Sequence, residues 1–327
     1  MNPFQYQKAA SPDAAIHAFS SESKFLAGGT NLVDLMKNGV EKPDKLIDIR
    51  RLDLAGIELR PDGGLRIGAL AHNSDTANHP HVRTRYPLLT QAILSGASPQ
   101  LRNMATNGGN LLQRTRCPYF MDTGFPKCNK RAPGTGCGAL EGLNRMHAIF
   151  GASDQCIAVH PSDMCVALAA LEATVRVQGR NGERRIALAD FHRLPGSTPE
   201  MDTTMKPGEL ILSIDLPASP YAAHSHYLKV RDRASYDFAL VSVAAALQIE
   251  GGVIRSARIA LGGVAHKPWR AEAAERSLNG RRAEASVWAA AARQAIEGAK
   301  PYRDNKFKVE LAERAVARAL ENAGGMA

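Results

Sequence analysis

Helical and extended periodicities alternate along the first part of the chain. Ser11-Pro12-Asp13 opens a helix through residue 19: serine caps, proline suits the first turn, and aspartate suits the positive helix end. Residues 24–27 read as a short strand running into Gly28-Gly29, after which Thr30 is expected to cap a helix ended by Gly39. Residues 45–49 and 65–70 read as further strands, so a βαβ-like start gives way to a mixed α+β region.

Between residues 113 and 157 the periodicity stops. Pro118, Pro126 and Pro133 fall there with Gly124, Gly134, Gly136, Gly138, Gly142 and Gly151, and make regular structure unexpected. So long a stretch without elements is uncommon inside a compact domain, and a metal cluster would supply the organisation that packing cannot.

Regular signals return at Ser162, which caps an apolar helix through Leu171. Strands are expected at 174–177 and 209–216. Pro217 to Pro220 then reads as a domain boundary. Beyond it, 227–230 is strand-like, and 241–249 with 254–261 flank Gly251-Gly252, a hairpin signal. Residues 271–323 are alanine-rich and helical. The fold expected is α+β, with an N-terminal domain over 1–220 (subdomains of about 1–60 and 61–220) and a C-terminal domain over 221–327. The latter is an antiparallel sheet under a helical layer.

Composition narrows the class. With 44% hydrophobic and 22% charged residues in 327, the chain is neither disordered nor a coiled coil. No apolar run reaches the ~18 residues of a membrane span. Residues 1–10 lack the apolar core of a signal peptide, so no export signal of its own is expected. The net charge of +9 suits nucleic acid, an anionic cofactor or an acidic partner. The basic residues are dispersed without an aromatic-interleaved stripe, which weakens the nucleic-acid reading.

Two segments have phosphate-cradle chemistry. Gly28-Gly29-Thr30-Asn31 follows a strand and opens a helix; Thr106-Asn107-Gly108-Gly109-Asn110 repeats the ingredients of hydroxyl, paired glycines and amide. Glycines let backbone N–H groups approach a phosphate, and two such loops suggest a grip on one diphosphate. Either is also ordinary turn chemistry. Neither the G-x-G-x-x-G fingerprint nor the G-x-x-x-x-G-K-[ST] loop occurs.

All five cysteines lie between positions 117 and 165: Cys117, Cys128, Cys137, Cys156 and Cys165. Such clustering reads as a metal site before it reads as disulfides, yet no C-x-x-C pair is present. Iron–sulfur cluster, zinc staple and inert buried thiols all remain compatible with the spacing. Residues 113–157 carry Arg114, Arg116, Lys127, Lys130, Arg131 and Arg145 against three acidic residues, an excess that would offset a four-thiolate cluster. Cys165 falls in the first turn of the Ser162-capped helix and shares its face with Leu168 and Ala169, as a small hydrophobe would. His160 reads as a structural hydrogen-bonder, and Lys229 as solvated on a wet strand face unless something anionic faces it.

Together these segments resemble the FAD-binding medium subunit of molybdenum hydroxylases, the xanthine dehydrogenase and carbon monoxide dehydrogenase family. Within it the likeness is greatest to the FAD subunit of the bacterial periplasmic aldehyde oxidoreductases. The resemblance is carried by residues 27–32, 101–110 and 113–119, by the cysteine segments, and by residues 229–236; it covers essentially the whole chain. It implies FAD on the two glycine loops, with Lys24, Phe25, Leu26, Ala27, Gly28, Gly29, Thr30, Asn31 and Leu32 forming the first. Gly96, Ala105, Thr106, Gly109, Asn110 and Leu112 would line the second. Ser162 and Asp163 would reach the adenosine part, and Ile211 and Lys229 would approach the flavin. It further implies a [4Fe-4S] cluster on Cys117, Cys128, Cys137 and Cys156, with Cys165 a departure from related chains.

The implied role is electron transfer. Substrate would be oxidised on a molybdenum-cofactor large subunit, electrons would arrive through a [2Fe-2S] small subunit, and an external acceptor would take them. No catalytic residue is then expected in this chain. Export would be indirect, to the periplasm with a signal-bearing partner; a cytoplasmic location is the alternative. The rival function is a free-standing FAD-dependent oxidase or dehydrogenase.

Overall fold

The computed structural model describes residues 1–325. Three strands, β1 (Gln5–Lys8), β2 (Ser23–Leu26) and β3 (Lys45–Asp48), form a parallel sheet in the order β1-β3-β2. Parallel neighbours need crossovers, and the helices Pro12–Ala18 and Leu32–Lys37 lie in those connections. Ser11 caps the first as expected, its Oγ accepting from Ala14 N. The second begins after Asn31 with no side-chain cap, so Thr30 does not have the capping role expected of it.

A second sheet joins β4 (Ile57–Leu59), β5 (Leu65–Gly68), β6 (Thr174–Gly179), β7 (Gly182–Ala187) and β8 (Leu210–Leu216). It is antiparallel throughout, in the order β4-β5-β8-β6-β7. The connection from β5 to β6 carries several helices, the second glycine loop, the cysteine segment and the helix Asp163–Ala170. Every residue of that last helix is buried, as expected of a helix apolar all round. It packs on the helix Pro87–Ser95 on one side and on the C-terminal sheet on the other. Both of its ends are thereby fixed between the two halves of the molecule.

The C-terminal sheet is antiparallel, built from β9 (Ser225–Val230), β10 (Val241–Glu250), β11 (Val253–Gly262) and β12 (Trp269–Arg270) in the order β12-β11-β10-β9. Gly251 and Gly252 both take positive φ, the conformation that a tight hairpin turn between twisted strands requires. The helices Glu272–Leu278, Ala285–Ala295 and Phe307–Ala323 pack their alanine-rich faces against this sheet around Trp288. The cysteine segment is less irregular than its composition suggests: single helical turns stand at Pro118–Met121 and Gly138–Glu141, and the backbones at Cys128 and Cys137 pair in an isolated antiparallel β-bridge, both thiols being free. No helix among the described residues is long and apolar enough to cross a membrane.

Candidate cofactor cleft and cysteine pocket

The two glycine loops meet. A Cβ on Gly28 would collide with the Met104 carbonyl just before the second loop, and one on Gly108 would press on Ala69. Gly29 has a φ of 77°, which only glycine adopts without strain. Asn31 clasps the loops together, its Nδ2 donating to Gly109 O at 3.0 Å. Thr106 caps the second loop, its Oγ1 accepting from Gly109 N at 3.3 Å.

A cavity opens on each side of this contact. One, of about 430 Å³, lies against Lys24, Phe25, Gly28, Gly29, Thr106 and Ile211. The other, of about 460 Å³, lies against Gly96, Ala105, Asp163, Lys229, Arg116 and Tyr236. Thr30, Asn31 and Gln113 line both, so the cavities join at the glycine loops. Two chambers joined at a backbone cradle suit a dinucleotide, with the diphosphate at the join and a ring system in each chamber. The glycines whose Cβ atoms would fill the cradle make FAD fit these residues.

Of the residues expected at the first loop, all but Leu26 line a cavity; Leu112 lines the first chamber, and Asn110 the second. Here the structure corrects one expectation, that Lys229 is solvated. Asp163 and Lys229 form an ion pair, Nζ to Oδ2 at 2.8 Å, inside the second chamber. Both residues therefore face the second chamber, where the resemblance expected one at the adenosine part and the other at the flavin. Ile211 lines the first chamber. Lys229 is not on a wet face: its side chain is 4% exposed and also donates to Ser95 O at 3.1 Å. The anion that the sequence reading required opposite it is Asp163. Tyr227 Oη donates to the other Asp163 oxygen at 2.7 Å. Burial, with the Asp163 carboxylate adding to it, pushes that phenol well above its ordinary range. Ser162 faces inward, capping the helix through Cys165 N and donating to Asn110 Oδ1 at 2.6 Å.

Several residues of the cleft carried no sequence signal. Asn73 accepts from Asn110 at 2.7 Å and donates to Asn107 at 2.9 Å, and Asn107 donates to Thr76 at 2.8 Å. This chain of amides stiffens the second loop from behind. Gln113 donates to Asn110 Oδ1 at 2.8 Å, and Ala97 stands at a φ of 52° beside Gly96. A lone asparagine in a helix has no pattern to betray it.

Cys117, Cys128, Cys137 and Cys156 line one small pocket together; Cys165 is not part of it. Burial pushes the Cys117 thiol up to about 12 and the Cys156 thiol up to about 11. Such thiols stay protonated unless a metal displaces the proton. His147 Nε2 is 3.2 Å from Cys117 Sγ, and burial pushes its imidazole down to about 4, so that it is neutral. Sulfurs on a single zinc at ~2.3 Å would stand roughly 3.8 Å apart. Among the described residues no three of these sulfurs come within 4.8 Å of one another. Four soft thiols lining one pocket suit a soft-metal centre, of which [4Fe-4S] is one.

Cys165 instead sits with His160 and His192, three donors within 4.8 Å. His160 Nδ1 accepts from Ser162 N at 3.3 Å, which leaves the proton of the neutral ring on Nε2 and no lone pair there. The trio is buried packing, and burial pushes the Cys165 thiol up to about 12.

Half of the segment's six basic residues pair with acids. Arg114 binds Asp202 and Glu41, each at 2.8 Å; Lys130 binds Asp202 at 2.5 Å; Arg145 binds Asp232 at 2.7 Å. These pairs moor the segment to the rest of the fold.

Residues 2–219 match the family described as "FAD binding domain in molybdopterin dehydrogenase", and residues 226–323 match "CO dehydrogenase flavoprotein C-terminal domain". The aldehyde oxidoreductase FAD-binding subunit PaoB of Escherichia coli is 52% identical over 331 residues, covering all of both chains. The glyceraldehyde dehydrogenase medium chain of Sulfolobus acidocaldarius is 30% identical, over 85% of this chain and 82% of its own. Among solved structures, carbon monoxide dehydrogenase from Hydrogenophaga pseudoflava superposes with a TM-score of 0.77 at 28% identity, over 99% of this chain and 98% of that one.

Proposed function

The chain belongs to the FAD-binding medium subunits of the molybdenum hydroxylases, and from that premise we propose that it is the FAD- and [4Fe-4S]-carrying electron-transfer subunit of an aldehyde oxidoreductase. Aldehyde as the substrate class rests on the 52% identity to the Escherichia coli subunit over the full length of both chains. In this reading the substrate is oxidised on a molybdenum-containing large subunit, and a [2Fe-2S] small subunit delivers the electrons. This chain passes them to an external acceptor.

One observation carries the reading: the chambers and the cysteine pocket form a continuous line. A narrow gap lined by Arg116, Pro161, Asp163 and Phe238 adjoins the second chamber. The same gap is lined by Thr115, Cys117 and His147, which also line the cysteine pocket. The chamber nearest the cysteines is therefore the one for the redox-active ring, and the adenine belongs with Phe19, Phe25 and Leu70 in the other. When bound, FAD supplies two-electron chemistry that can be divided into single electrons, and the cluster supplies single-electron exchange.

The chain's own residues hold and tune. The glycine loops bring backbone to the diphosphate. The Asp163–Lys229 pair fixes a charge of each sign in the ring chamber, with Tyr227 holding the carboxylate in place. The four cysteines would give up their protons to metal. The test is anaerobic purification of the full complex. Bound FAD, iron in this subunit and aldehyde-dependent reduction of an added acceptor are expected. Aldehyde turnover by this chain without partners would instead support a free-standing flavoenzyme.

A further inference from the structure

Three arginines line the second chamber without an ion pair among the described residues. Arg102 is turned to Gly96 O and Arg233 to Tyr236 O, each at 2.6 Å, which leaves Arg116 as the one at the join of the two chambers. It directly precedes Cys117 and lines both the second chamber and the gap towards the cysteine pocket. Its neighbours Arg114 and Lys130 are neutralised by carboxylates. Arg116 has no ion pair among the described residues; Asp34 lines the same chamber but stays beyond ion-pair reach. What Arg116 does have is neutral: Nη2 donates to Asn31 Oδ1 at 2.9 Å, Nη1 approaches Arg114 O at 3.5 Å, and the guanidinium lies 5.6 Å from the centre of the Phe238 ring. A half-buried guanidinium held only by an amide, a carbonyl and a ring is a costly arrangement unless an anion completes it.

The place of that anion follows from Asn31. Its Oδ1 receives Arg116, its Nδ2 donates to Gly109 O of the second loop, and it lines both chambers at their join. The guanidinium is thus pinned beside the point where the two glycine loops meet. We propose that Arg116 binds the diphosphate of FAD and, through its clasp on Asn31, ties the cofactor cradle to the first cysteine of the metal pocket. A guanidinium fork matches two phosphate oxygens, and the diphosphate carries the charge that the surrounding protein leaves unbalanced. The inference rests on the FAD reading above and adds to it a ligand contributed by the cysteine segment itself.

The test is FAD and ADP binding to the full chain freed of flavin, for the parent, Arg116→Met and Arg116→Lys. ADP carries the diphosphate and lacks the flavin. A charge-assisted phosphate contact predicts FAD affinity lowered roughly 10- to 100-fold in Arg116→Met, with ADP weakened by a similar factor. Arg116→Lys keeps the charge without the fork and should fall between the two. Iron content and thermal midpoint report whether each variant is folded. If Arg116→Met does not fold, Arg116→Lys decides: weakened FAD and ADP support the contact, and parental affinity for both overturns it. Parental FAD affinity in a folded Arg116→Met also overturns it. Weakened FAD with unchanged ADP moves the contact to the flavin and overturns the diphosphate assignment. A parent chain that binds no FAD would sink the proposed function itself, a result that none of the variant outcomes mimics.

Discussion

Lys229 and Asp163 form a buried ion pair in the chamber proposed for the flavin ring, and that changes what a substitution at either should do. Removing the lysine leaves a buried carboxylate with Tyr227 alone as donor, and breaking a buried pair costs about 3–5 kcal/mol. Lys229→Met should therefore lower the thermal midpoint by several degrees, measurable by scanning calorimetry. The uncompensated carboxylate also disfavours negative charge on reduced flavin, so the flavin potential should fall. Asp163→Asn leaves the lysine uncompensated and should raise it. Shifts on the order of 30 mV, equivalent to ~1.4 kcal/mol for two electrons, are expected in opposite directions. Potentiometric titration of both variants checks this, and shifts of the same sign would remove the pair from flavin tuning. At the cysteines, Cys165→Ala should keep the iron, because Cys165 packs in a buried helix away from the pocket shared by the other four. Cys156→Ala should lose it. Iron analysis that finds the reverse would overturn the ligand set.

At the scale of elements, the cysteine segment is held by its ion pairs as much as by any metal. Asp202 receives both Arg114 and Lys130. Burial works against ionisation of Asp202, but the two cations outweigh it and hold its carboxyl below the ordinary range. A depressed folded-state value means that its stabilisation is present above the unfolded value near ~3.9 and is lost as pH falls through the folded one. Cleavage within residues 113–157 by an acid-active protease should stay slow down to about pH 4 and accelerate only below it. Asp202→Asn should show the loosened segment already at neutral pH, losing on the order of 3 kcal/mol. The glycine loops make a second case. Gly28→Ala places a methyl against the Met104 carbonyl, so the loops must part, and FAD occupancy should drop with far-UV circular dichroism unchanged.

These elements also show what the sequence could and could not reveal. Capped helices, the Gly251-Gly252 hairpin and the alanine-rich helices follow local rules, and the structure has them. The strands at 5–8 and 182–187 are mostly polar and the one at 57–59 is only three residues long, so periodicity passed over them. The glycine loops were legible because glycine has few reasons to be doubled. The Asp163–Lys229 pair was not, because the partners are far apart in sequence and only the packing of the helix Asp163–Ala170 on the C-terminal sheet brings them together. Arg116 was visible only as one basic residue among six; its special position appears once its place between the chamber and the cysteine pocket is known.

For the molecule as a whole, two chambers, a narrow gap and a cysteine pocket lie in sequence across the joint between the N-terminal sheets and the C-terminal domain. In the proposed reading that layout serves electron transfer, with a dinucleotide site on one side and a soft-metal site on the other. The relation to medium subunits of molybdenum hydroxylases covers both domains, while the metal proposed for the pocket rests on the four cysteines that line it together. The most direct test is therefore one composition measurement on the anaerobically purified subunit: flavin, iron, acid-labile sulfide and zinc per chain, read with the paramagnetic resonance spectrum after reduction. The account predicts one FAD, four iron and four sulfide with a reduced-cluster signal. One zinc per chain without iron, or a flavin-free chain, would contradict it.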